Sequence, residues 1–193
     1  MKKILVMAAL AICSFANAQK GTILVGGNIG YSSETVDYGV GETKTNQFSF
    51  SPKVGYQFHE NWTVGGEFTV SSANDDNGAR EIKDNDFKLG AFVRYSVPLN
   101  QTFSVFADMG LGLQNKKRTI DGPGNDYSKS KADGMYVGVT PALFINMKKG
   151  FGLNFSIGGL GYDTYSYDNN GPDVSNFYFN FGQTFNIGVS KNF

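Results

Sequence analysis

Residues 47–58 read Gln47-Phe48-Ser49-Phe50-Ser51-Pro52-Lys53-Val54-Gly55-Tyr56-Gln57-Phe58. From Phe48 to Phe58 every second side chain is bulky and apolar, and those between are small or polar. A period of two marks an extended strand with unlike faces. Which face carries the bulk decides the fold. A soluble barrel fills its inside with large apolar side chains and shows polar ones to water. Here the small and polar set suits the narrow lumen of an eight-strand barrel, and the bulky set needs an apolar exterior. Lipid supplies one.

The same alternation recurs over 23–31, 62–71, 87–96, 103–114, 135–146, 151–158 and 177–193. A tilted strand needs roughly 9–11 residues to cross a bilayer. Backbone groups in hydrocarbon must all be paired, so the sheet must close. The expected fold is all-β: a closed eight-stranded antiparallel up-and-down transmembrane β-barrel. Pro52 and Pro141 fall inside alternating segments and predict local breaks in the ladder.

Connections alternate in length. Residues 33–45, 73–84, 115–133 and 163–175 read as long polar loops, and 59–61, 98–101 and 147–150 as tight turns. Outer-membrane barrels have short periplasmic turns and longer extracellular loops. This predicts the outer membrane of a Gram-negative-type cell, with both termini periplasmic. Tyr56, Phe58, Trp62, Tyr95, Phe103, Phe151 and Phe193 gather near the short-turn end. Tyr31, Phe48, Phe87 and Phe177 gather near the long-loop end. Both sets suit aromatic belts at headgroup level.

The N-terminus reads as an export signal. Lys2 and Lys3 precede the apolar run Ile4–Ile12, and Ala16-Asn17-Ala18 is a small-residue cleavage site. Residues 1–18 are the expected signal peptide and 19–193 the barrel domain. Nine apolar residues are too few for a spanning helix, which needs about 20. Bulky Ile12 before Cys13 departs from a lipoprotein site. Cleavage would remove the only Cys and two of 17 basic residues, leaving 17 acidic ones and a net charge of about −2. No basic run points to nucleic acid.

The whole of 19–193 resembles the small outer-membrane β-barrel family typified by the transmembrane domains of outer membrane proteins A and X. The most specific piece is the C-terminal segment, with Phe185, Ile187 and Val189 in phase with a final Phe193. It is similar to the signal that the barrel-insertion machinery reads in this class. Lys191 departs from that signal, since an aromatic or apolar residue is usual two places before the end. The resemblance implies partners in outer-membrane lipid, lipopolysaccharide and the insertion machinery. No periplasmic peptidoglycan-binding domain is expected after Phe193.

Charges on the lumen-facing phase are the candidate site. An unpaired charge in a narrow lumen is costly, so Lys53, Glu67, Arg94 and Asp108 are expected to form an ion-pair network, with Lys88 higher up. The network would stabilise the barrel or line a narrow pore. His59 is the only histidine and sits in a tight turn beside Glu60. One His supplies neither a hydrolase triad nor a His-rich metal cluster. No catalytic, cofactor or metal site is expected, and no enzyme activity. Asp75, Asp76, Glu81 and Asp84, then Asp163, Asp168 and Asp173, read as solvated loop carboxylates without the spacing of a calcium loop. Lys116, Lys117, Arg118, Lys129 and Lys131 read as one basic cluster able to meet lipopolysaccharide head groups.

These features lead to a structural or interaction barrel that presents its long loops to external partners. The alternatives are a porin-like conduit, a lipid-modifying enzyme and a soluble barrel for apolar ligands.

Overall fold

The computed structural model describes residues 21–39, 41–124, 127–169 and 171–193, with backbone only at 183–185. The expected signal peptide lies outside the described residues. Each alternating segment forms a strand: β1 (Ile23–Asp37), β2 (Glu42–His59), β3 (Trp62–Asp76), β4 (Glu81–Pro98), β5 (Phe103–Asp121), β6 (Tyr127–Lys148), β7 (Phe151–Tyr167) and β8 (Asp173–Asn192). Every strand pairs antiparallel with its sequence neighbours, and β8 returns to β1 to close the barrel.

The strands run longer than the alternation. The four segments read as long loops are mostly continued ladder. For example, β5 and β6 pair without a break from Phe103↔Ile145 to Asp121↔Tyr127. What remains between strands at that end is short: the residues between Asp37 and Glu42, Asp76 and Glu81, Asp121 and Tyr127, and Tyr167 and Asp173. Beyond the lipid both faces meet water, so the apolar period vanishes. Cross-strand pairs of Thr, Ser, Asn and opposite charges still hold a ladder together.

The other end closes on tight turns. Lys149 and Gly150 both take positive φ (51° and 75°), the backbone of a two-residue turn whose twist matches the strands it joins. In the β4–β5 turn, Asn100 Oδ1 accepts from the backbone N–H of Thr102 and Phe103, each at 2.8 Å.

Both prolines sit at ladder breaks. The β2–β3 register passes from Phe50↔Val70 to Lys53↔Glu67 and skips Ser51 and Pro52. The β6–β7 register slips between Val139 and Ala142, flanking Pro141. A further slip in β7–β8 lies between Ser156 and Gly158. It shifts the phase of β7, from Phe155 outward below to Leu160 and Tyr162 outward above. The single alternating phase of the seventh segment therefore ends at Gly158, whereas the strand continues to Tyr167.

The bulky phase faces outward on every strand. Phe48, Phe50, Leu89, Leu111, Leu113, Val137, Phe177 and Phe179 are all exposed. Along β5 the outward apolar run spans Phe103 to Leu113. At about 2.5 Å of advance along the barrel axis per tilted residue, this is about 25 Å, the height of an outer-membrane apolar band. Trp62 and Tyr95 pack in a tilted pair at the short-turn end, with centroids 4.8 Å apart.

Candidate functional site

The lumen is filled by two kinds of contact. Rings from inward positions pack against glycines of neighbouring strands. Phe92, 1% exposed, covers Gly55 and Gly65, where an added Cβ would stand 3.1 and 2.7 Å from its ring. Tyr136 likewise covers Gly90 and Gly112, and Phe144 covers Gly152. Only a residue without Cβ lets a ring approach that closely. The inward phase carries more aromatic bulk than its Gly, Ser and Asn suggest.

Charges fill the level beside these rings. Ladder register places Lys53 opposite Glu67 and Arg94 opposite Asp108. Arg94 grips Asp108 with two bonds, Nε to Oδ1 at 2.6 Å and Nη2 to Oδ2 at 2.9 Å. Lys53 Nζ crosses the lumen to Asp108 Oδ2 at 2.8 Å and reaches Glu67 Oε2 at 3.3 Å. Tyr136 donates its hydroxyl to Glu67 Oε1 at 3.0 Å. The Arg94 guanidinium stacks 3.7 Å from the Phe106 ring centroid, and Lys53 lies over Phe92 at 5.1 Å. Two cations and two anions thus balance inside one ring of strands.

Lys88 is not part of this quartet. Its Nζ lies 3.6 Å from Asp163 Oδ1 and 5.3 Å from the Tyr136 ring centroid. Asp163 reads as a loop residue in the sequence. The longer β7 and its phase shift bring it into the lumen instead. Asp84, also read as a loop carboxylate, sits on β4 and takes two 2.7 Å bonds from Arg118. Those bonds hold the Asp84 carboxyl below its usual range. Sequence reasoning missed Tyr136, Asp163 and this second Arg–Asp clamp. The register of extended strands, in which Asp84 directly faces Arg118, was the signal that would have found the clamp.

A cavity of about 60 Å³ beside the quartet is lined by Asn28, Lys53, Arg94, Asp108, Asn154 and Ser190, among others. That is room for a few waters and no larger solute. His59 ends β2 opposite Trp62 at the short-turn rim. Among the described residues no group of three His, Cys, Asp or Glu side chains is placed to hold a metal.

Of the expected insertion signal, the Phe185 side chain lies outside the described residues. Ile187, Val189 and Phe193 are exposed on the outward face. Lys191 lies over the Phe193 ring at 4.4 Å. These residues belong to the closing seam, which is short. Among the described residues β1 pairs with β8 from Leu24↔Asn192 to Gly27↔Val189, supported by reciprocal backbone bonds between Ile23 and Phe193.

Comparison with known proteins agrees with this architecture. The family model described as outer membrane protein beta-barrel domain matches residues 4–193. Among solved structures, the chain is similar to Ail, the attachment invasion locus protein of Yersinia pestis. The TM-score is 0.52 at 18% identity, over 90% of this chain and 97% of that one. It is also similar to a major outer membrane protein from Thermus thermophilus, with TM-score 0.50 at 12% identity over 91% and 100% of the two chains. At these identities the likeness concerns the fold. No curated protein sequence matches the chain.

Proposed function

The chain belongs to the outer membrane protein beta-barrel domain family, and on that premise we propose that it is a non-enzymatic display barrel. Its plugged body anchors it in the outer membrane, and its four projecting hairpins meet external partners. The carrying observation is the contrast between a lumen closed by rings and ion pairs and strands that continue well past the apolar band. The hairpin end faces the outside, and both termini face the periplasm. Tight turns suit the side that crosses the membrane last or not at all, since outer-membrane barrels keep their short turns periplasmic. During assembly, Ile187, Val189 and Phe193 present the apolar phase that the insertion machinery reads.

Two measurements test this reading. A Cys placed at Pro123, in the β5–β6 connection, should react with a membrane-impermeant maleimide on intact cells. The purified barrel in a planar bilayer should show no stable single-channel steps. Steady conductance that is lost or altered in Glu67→Ala would favour a gated pore instead. An unlabelled Pro123→Cys would reverse the orientation.

A further inference from the structure

The five basic residues of the β5–β6 hairpin do not form one cluster. Register puts Lys116 and Arg118 on the lumen face, opposite Asp86 and Asp84, and Arg118 is clamped by Asp84. Lys117, Lys129 and Lys131 share the outward phase with Leu113 and Met135. Lys117 and Lys131 are direct cross-strand partners, and Lys129 stands opposite Thr119 on the same face. Like charges directly opposite each other destabilise a ladder. Among the described residues no direct ion pair offsets it. Among the described residues no carboxylate oxygen lies within 4.0 Å of any of the three ammonium groups. Asp133, the neighbouring outward carboxylate on β6, accepts from Asn115 Nδ2 at 2.6 Å. On β4 the outward Lys83 is already paired with Glu81 at 2.7 Å.

Depth adds a second constraint. Leu113 and Met135, 64% and 60% exposed, are the last apolar outward pair on these strands. Lys117 and Lys131 stand four residues further on, about 10 Å beyond the apolar band at about 2.5 Å per residue. Long lysine stems bend back toward an interface while keeping their charge in water. Three cations without a direct ion pair on the outward wall, about 10–15 Å above the hydrocarbon at head-group height, therefore call for anions that belong to the membrane surface.

We propose that Lys117, Lys129 and Lys131 form a binding site for the phosphates on the sugar head group of lipopolysaccharide in the surrounding outer leaflet. The site rests on the orientation proposed above. Its ligand supplies the negative charge that the Lys117–Lys131 pair lacks, and it clamps the base of the tallest hairpin to the leaflet. Lysine serves as a point charge for phosphate, and each basic side chain near an anionic surface adds appreciably to affinity.

The test uses the full barrel refolded in zwitterionic detergent. Bisphosphorylated lipid A, its dephosphorylated form and phosphatidylglycerol are added separately, and bound lipid is counted by native mass spectrometry. Phosphorylated lipid A should bind about tenfold or more tightly than the dephosphorylated form. That preference should vanish in Lys117→Gln/Lys129→Gln/Lys131→Gln and persist in the corresponding triple Arg variant. It should also be unchanged in Lys44→Gln/Lys149→Gln, which removes charge elsewhere. Heat-modifiable migration reports that each variant is folded. Equal binding of the two lipid A forms overturns the site, as does a preference that survives the triple Gln change or phosphatidylglycerol binding as tightly as lipid A. Maleimide labelling of Pro123→Cys on cells reads orientation separately, so a reversed barrel and an absent lipid site give different results.

Discussion

The barrel wall is built to two standards. From β2 to β5 the strands are joined twice, once by ladder bonds and once through the lumen by Lys53, Glu67, Arg94 and Asp108. From β7 round to β1 the joins are sparser. The β6–β7 and β7–β8 registers slip, and the described seam holds from Leu24 to Gly27. Above it, among the described residues, Asn28–Asp37 on β1 shows pairing with β2 and none with β8. Strand edges without partners are costly in lipid. The seam register, if continued, would next join Asn28 to Gly188 and Ile29 to Ile187, polar inward and apolar outward. One half of the barrel is thus pinned from inside, and the other depends on how far a zipper closes.

The largest effect should come from breaking the pinned half. Asp108→Ala leaves buried Arg94 without its anion and half-buried Lys53 with Glu67 alone, and breaking a buried pair costs about 3–5 kcal/mol. Urea unfolding in micelles should show a loss of that order. A loss below about 1 kcal/mol, the scale of an exposed ion pair, would mean that the quartet does not hold the strands together.

A smaller effect should come from closing the other half. An added Cβ on Gly188 would overlap the Asn28 amide and press on the Gly27 carbonyl oxygen, so an Asn28→Cys/Gly188→Cys disulfide, which removes that amide, should form on oxidation and, after a small backbone shift, raise stability by about 2–4 kcal/mol. It should also slow amide exchange over Ile29–Asp37. An oxidised variant with unchanged melting and exchange would show that opening does not begin at the seam.

The smallest effect belongs to the Asp84–Arg118 clamp above the membrane. The bonds from Arg118 depress the folded pKa of Asp84 below its ordinary value of 3.8, and Arg118 stays charged throughout. The clamp's contribution is therefore full above that ordinary value and is lost as pH falls through the depressed one. Arg118 is half-exposed, so after solvent screening the contribution is below about 1 kcal/mol. Asp84→Asn should flatten the acid limb of the stability profile by that amount and leave stability near pH 7 lower by the same amount. An unchanged acid limb would remove Asp84 from the account.

Strand number, phase and the facing pairs Lys53–Glu67 and Arg94–Asp108 were legible because alternation fixes face and turn position fixes depth. Three things were not. Strand length past the lipid was hidden, because Lys83, Asp84 and Thr119 alternate polar with polar. The phase shift in β7 was hidden, because Ile157-Gly158-Gly159-Leu160 carries no mark of which residue drops out of register. That shift moved Asp163 from a presumed loop into the lumen beside Lys88. The basic cluster looked single, because sequence proximity does not say that Lys116 and Lys117 face opposite ways. The same alternation says so once the strand is known to continue.

The unbroken β5–β6 ladder also fixes a height. From Leu113 to Asp121 the hairpin rises about 20 Å above the hydrocarbon, at about 2.5 Å per residue. At physiological salt, charge is screened over about 8 Å. The tip near Asp121 and Tyr127 therefore stands more than two screening lengths above the hydrocarbon, while Lys117 and Lys131, at about 10 Å, stand little more than one above it. A change of charge at the tip is therefore screened from the hydrocarbon boundary but not from Lys129, which lies two residues from Tyr127 and within one screening length of it.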